Sequence, residues 1–272
     1  MEIDFKLFIL IAFLSMLFEF MDASIGMGFG TTLTPVLLLF KFVPLQVIPS
    51  VLLSQLLGGV IGGIAHYKFE NIKLDFRNDR ESVNIKFKKF LYIPRSFDSK
   101  VISILGVFGL VGAIIGVLIA VNIPGIVLNI YIGAMVLAIG IWILVKRNKT
   151  VLFSWKKLTL IGVVSAFNKG ISGGGYGPLI TGGQIISGCK TRNSIGSTTF
   201  VEPLICLVAF IGYLIANRSF NWPLIFATSI GSLIAAPFAA FFVKKVNSSL
   251  LRLLIGIVTI LLGSYTILRI FI

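Results

Sequence analysis

The sequence predicts an all-α integral membrane protein built from two inverted repeats, each a re-entrant broken-helix hairpin followed by three transmembrane helices. Three observations lead there. Of 272 residues, 57% are hydrophobic and only 12% charged, whereas about a quarter of the residues of a soluble domain are charged. Two apolar segments are too long for one straight crossing and are interrupted by glycines. The chain also repeats itself at an offset of 147 residues.

Taken in order, Met1 to Asp4 carries two acids and no basic region, so the apolar stretch after it is expected to be the first membrane segment rather than a signal peptide. Segments 5–40 and 155–189 would each exceed about 50 Å as straight helices, against a hydrocarbon core of about 30 Å. Each is therefore read as two half-length helices joined by a non-helical turn. Runs at 45–65, 101–121, 123–145, 194–216, 220–243 and 246–272 are read as single spans, with Glu202 the one carboxylate inside them and arginines near both ends of the last, where they can snorkel. The first repeat is placed at 1–150 and the second at 151–272.

The net charge of +14 does not point to nucleic acid, because the cations lie between apolar spans and serve to orient them. Residues 68–100 hold nine Lys/Arg and five Asp/Glu and are expected to form a basic cytoplasmic loop. The uncharged turn at 122–125 then falls outside and the cationic 146–157 inside. If both long segments are hairpins that leave on the side they enter, Lys190, Arg192, Lys244 and Lys245 fall inside as well, and both termini fall outside. Three full crossings per half make the halves inverted, an arrangement used by secondary transporters.

The repeat lays residues 20–57 on 167–204 without a gap, with identity at Phe20, Gly26, Gly28, Gly30, Thr34, Ile48, Ser50 and Leu57. The matches gather in the glycine turns, Gly26, Gly28 and Gly30 facing Gly173, Gly175 and Gly177, with Gly174 between the latter. Glycine permits positive φ and close approach. A half-helix starting after such a turn aims unpaired N–H groups and a positive dipole end inward, so two of them form an anion site without a charged side chain. Gly62, Gly63, Gly112 and Gly116 are read instead as helix-packing positions.

The run Asn168-Lys169-Gly170-Ile171-Ser172-Gly173-Gly174-Gly175-Tyr176-Gly177-Pro178, with Gly196-Ser197-Thr198-Thr199 in the next helix, resembles the sulfite exporter TauE/SafE family. The first-half counterparts are Gly26 to Gly30 with Pro35, and Pro49-Ser50, although Met27 and Phe29 stand where the family pattern has an unbroken glycine run. The resemblance covers nearly the whole chain outside 68–100. It implies a multi-pass permease of the cell membrane that carries small anions, sulfite or organosulfur acids.

Hydroxyls cluster beside the turns: Ser24, Thr31 and Thr32, then Ser172, with Ser50, Ser197, Thr198 and Thr199 in the following helices. As a set they are candidate anion donors, although a lone membrane Ser or Thr commonly bonds only its own turn. Intramembrane charges are costly and usually functional. Asp22 and Lys169 occupy equivalent positions, as do Gln55 and Glu202. Lys169 is either a fixed cation for the substrate or the partner of Asp22 in an ion pair across the repeat axis. Asp22 and Glu202 are the candidate coupling groups, with a proton as the coupling ion. Glu19 and the lone histidine, His66, are expected at the membrane surface, and Cys189 and Cys206 as packing residues.

The expected function is secondary transport of sulfite or another sulfur-containing oxyanion or organosulfonate, by alternating access at a midplane site between the two glycine turns. A carrier for another small solute or a metal cation is the alternative, and a non-transporting scaffold a third. No nucleotide-binding motif or metal-ligand spacing is present, so no cofactor is expected. The string Gly170-Ile171-Ser172-Gly173-Gly174 matches a serine-hydrolase pattern, but that chemistry needs a histidine within reach of the serine. A duplicated glycine turn has no purpose in it, and enzyme activity is not expected.

Overall fold

The computed structural model describes residues 3–79, 93–120, 153–216 and 220–268, with scattered helical positions between 130 and 145. Most of the predicted span at 123–145, the turn at 122–125, the cations at 146–149 and positions 80–92 of the basic loop therefore lie outside the described residues.

Helix α1 (Phe5–Ile25) opens with the Asp4 carboxylate accepting from the Leu7 N–H at 2.8 Å, a side-chain cap that satisfies one of the orphan donors at a helix start. It stops at Gly26, whose φ of 81° no β-branched residue would tolerate. After Gly28 (φ 128°) the chain turns into α2 (Phe29–Leu39) and then α3 (Pro44–Lys68) and α4 (Phe97–Ala120). The second half begins with α5 (Trp155–Ser172), capped by Ser154 and ended by Gly173 (φ 68°). Gly175 (φ 75°) then leads into α6 (Tyr176–Ile186), followed by α7 (Thr191–Ala216), α8 (Trp222–Lys245) and α9 (Ser248–Leu268). Five of these helices contain stretches long and apolar enough to cross a membrane: Phe5–Ile25, Gln46–Lys68, Phe97–Ile119, Thr191–Ala216 and Trp222–Lys245.

The repeat reappears in the backbone. The ends of α1 and α5, the starts and ends of α2 and α6, and the starts of α3 and α7 are each 147 residues apart, as are the two pairs of positive-φ glycines. The limbs around each break are unequal, however, at 21 and 11 residues in the first half and 18 and 11 in the second. The expectation of two half-length helices thus fails for the first limb. At 1.5 Å per residue α1 alone reaches about 31 Å, because its glycines stand at the end of a full apolar run.

Small residues set the packing. A Cβ on Gly112 or Gly116 of α4 would collide with the Val163 or Phe167 carbonyl of α5, and one on Gly231 of α8 with the Ala12 carbonyl of α1, so these helix pairs touch backbone to backbone. Helices α3 and α7 run antiparallel. Near the start of α3, Leu52 packs with Cys206, Ala209 and Tyr213, whereas farther along Gly59 meets Pro203, Gly63 meets Phe200 and His66 lies beside Gly196. The basic loop is pinned where the Asp98 carboxylate at the start of α4 accepts from the Lys73 N–H and Asn193 Nδ2, both at 2.8 Å.

Candidate functional site

The antiparallel crossing of α3 and α7 fixes the site. Gln55 and Glu202 stand at matching depth in their helices, so the crossing brings two repeat-equivalent residues into contact. Gln55 Nε2 donates to Glu202 Oε1 at 3.0 Å and to Asp22 Oδ2 at 3.4 Å. Lys169 reaches in from α5, donating to Glu202 Oε1 at 2.7 Å and to Gln55 Oε1. Asp22 and Lys169 are themselves equivalent, and all four side chains are buried, Lys169 at 1% exposure and Glu202 at 4%. An ammonium this deep persists only when paired and hydrogen-bonded, and Gln55 and Glu202 supply both.

The ion pair of Lys169 is therefore with Glu202. Asp22 turns to the glycine break instead, where its Oδ1 accepts from the Phe29 N–H at 3.2 Å. That atom also lies 3.2 Å from where a Cβ on Gly177 would stand, so one carboxylate sits beside the starts of both α2 and α6. The start of α2, one of the two helix ends read as an anion site, thus donates to a side chain of the protein's own. Glu19 is buried at 2% exposure, not superficial, because it lies three residues from Asp22 on the same face of α1. It lies beside Gly58 together with Ser232, and its Oε2 has no partner among the described residues.

The two glycine turns touch. A Cβ on Gly174 would stand 2.9 Å from the Gly30 carbonyl carbon, and one on Gly177 would stand 2.6 Å from the Met27 Cα. Most of the sequence-predicted hydroxyls bond their own turns: Thr31 to the Gly28 carbonyl, Ser50 to Gln46, Ser172 to Asn168, Ser197 to Asn193 and Thr199 to Ile195. Thr198 differs, accepting from Gln184 Nε2 at 2.9 Å and lying 2.9 Å from the Thr181 hydroxyl, which donates to the Gly26 carbonyl. Ser24 is buried, its hydroxyl without a partner among the described residues.

Sequence reasoning left Gln55, Thr181 and Gln184 out of the candidate set. Gln55 was detectable, since it is the repeat partner of Glu202. Thr181 was detectable as one of the positions identical between repeats. Gln184 has no such mark. Ser172 accepts from the Gly174 N–H, whereas His66, expected at the surface, is buried and bonded to Ala23 and Asn71.

The family model of the sulfite exporter TauE/SafE matches residues 11–77 and 90–266. A "Probable membrane transporter protein YtnM" of Bacillus subtilis (strain 168) is 29% identical over 276 residues, covering 97% of this chain and 84% of that protein. No solved structure gives a significant match. With the family pattern running through both glycine turns and through the helices that carry the buried quartet, the chain is a multi-pass membrane transporter that belongs to the sulfite exporter TauE/SafE family.

Proposed function

We propose that this transporter carries sulfite or another sulfur-containing oxyanion or organosulfonate by proton-coupled alternating access. The anion binds where the two glycine turns and the Asp22–Gln55–Lys169–Glu202 quartet adjoin. The contact between Gln55 and Glu202 carries this reading. Two residues at the same place in two repeats meet near a pseudo-twofold axis, and an axis in the membrane plane, as inverted repeats require, accounts for both that contact and the antiparallel course of α3 and α7. On that axis lie one ammonium and, with Glu19, three carboxylates, so the charge of the cluster depends on how many protons it holds. An anion displacing Asp22 from the two helix starts is accommodated when a carboxylate takes up a proton. Substrate and proton then move together for electrostatic reasons.

Ser24, Thr31, Ser50, Ser172, Ser197, Thr198 and Thr199, with Gly26, Gly28, Gly30, Gly173, Gly174 and Gly175, form the binding surface once the turns separate. Asp22 and Glu202 are the coupling groups. Thermal unfolding of the detergent-purified protein tests the ligand class. Sulfite, thiosulfate or sulfoacetate should raise the midpoint in wild type and lose that effect in Lys169→Gln. Stabilisation by divalent metals and not by anions would establish the cation reading instead.

A further inference from the structure

The repeat offset that relates the quartet also relates two other buried hydrogen bonds. His66, near the end of α3, donates from Nε2 to the Ala23 carbonyl at 3.0 Å. Tyr213, near the end of α7, donates from its hydroxyl to the Gly170 carbonyl at 3.0 Å. His66 and Tyr213 are 147 residues apart and so are Ala23 and Gly170; each bond spans 43 residues. The same link, made by different chemistry, fastens the last turn of the helix before each glycine break to the far end of the crossing helix. Because α3 and α7 are antiparallel, the two links lie at opposite ends of their contact.

We infer that His66 and Tyr213 are the two gate latches of the transport cycle. The His66 link closes the cytoplasmic side and the Tyr213 link the outer side. The assignment of sides and the cycle rest on the proposed function above. Geometry around His66 supports a gate. Its Nδ1 accepts from Asn71 Nδ2 at 3.1 Å, and the same amide donates to the Ala240 carbonyl of α8 at 2.9 Å, so three helices are joined through one ring. Asn71, itself 2% exposed and with an Oδ1 that has no partner among the described residues, also lines a cleft of about 570 Å³ with Lys73, Lys190, Arg192, Glu70 and Asp98. Cations outnumber acids there, which suits a vestibule through which an anion passes. The Tyr213 link holds α5 just before Lys169's own break, with Ile171 as a second acceptor at 3.3 Å. Each latch caps carbonyls in the last turn of a helix, groups that a helix leaves without internal donors. Breaking one frees that turn to move away from the turn opposite, which the latch otherwise prevents.

A reporter cysteine at Ser24, in a background with Cys189→Ser and Cys206→Ser, reads the two sides through a membrane-impermeant maleimide in intact cells and inverted vesicles. Tyr213→Phe should speed labelling from outside by about fivefold and slow it from inside, the shift expected for one lost hydrogen bond in a two-state equilibrium. His66→Phe should do the reverse, and His66→Gln, which keeps a donor for Ala23, should label like the parent. Shifts in the same direction, or none in either Phe variant, overturn the inference, as does a His66→Gln indistinguishable from His66→Phe. Loss of monodisperse protein in either Phe variant also overturns it, since a bond that opens in every cycle cannot be required for the fold. Labelling needs no substrate. Opposite shifts without sulfite flux would therefore sink the substrate reading and leave the gates, whereas flux without opposite shifts would do the converse.

Discussion

Lys169 cannot be removed without consequence, because its ammonium is the sole cation in contact with the Glu202 carboxylate among the described residues. Breaking one side of a buried pair costs about 3–5 kcal/mol, most of it the charge left behind. Lys169→Gln should accordingly lower the unfolding midpoint in detergent, and Lys169→Gln with Glu202→Gln should recover most of that loss. Equal loss in the single and double variants would mean that the pair contributes through packing alone. Asp22→Asn leaves the pair intact and keeps an acceptor for the Phe29 N–H, so its effect on stability should be the smallest of the set. At this scale the sequence was most legible where the repeat supplied a partner: Asp22 with Lys169, Gln55 with Glu202. It was least legible for Glu19 and His66, whose burial depends on which face of a helix meets a neighbour, and no periodicity stands out in helices that are apolar all round.

The glycine breaks are the elements on which both halves depend. Their positions were readable because positive φ is a property of the residue itself, and Gly26, Gly28, Gly173 and Gly175 all adopt it. That the limbs are unequal was not readable, since apolar composition marks a break but not the depth at which it lies. The contact between the turns was equally hidden, being a matter of how α1, α2, α5 and α6 pack. That contact predicts a graded glycine series. Gly177→Ala, whose methyl would press on the Met27 backbone, should destabilise by about 1–3 kcal/mol, whereas Gly106→Ala, whose methyl would meet only Leu204 Cδ2 at 3.4 Å, should be nearly neutral. Thermal unfolding of both variants in one detergent checks the order, and a Gly106→Ala as damaging as Gly177→Ala would contradict it.

Over the whole molecule, the proposed inverted repeats, oriented by the positive-inside rule, put the basic loop inside and the start of α1 outside. A cysteine at Phe5, 78% exposed, should react with an impermeant thiol reagent in intact cells, and one at Arg77 only in inverted vesicles; reaction of both from one side would break the repeat symmetry. The central claim, anion transport coupled to protons at the quartet, is tested most directly by uptake of radiolabelled sulfite into proteoliposomes under an imposed pH gradient. Wild type should be accelerated by the gradient, and Glu202→Gln should retain sulfite counterflow while losing that acceleration. Sulfite uptake by wild type no faster than in protein-free liposomes, or pH-driven acceleration unchanged in Glu202→Gln, would contradict it.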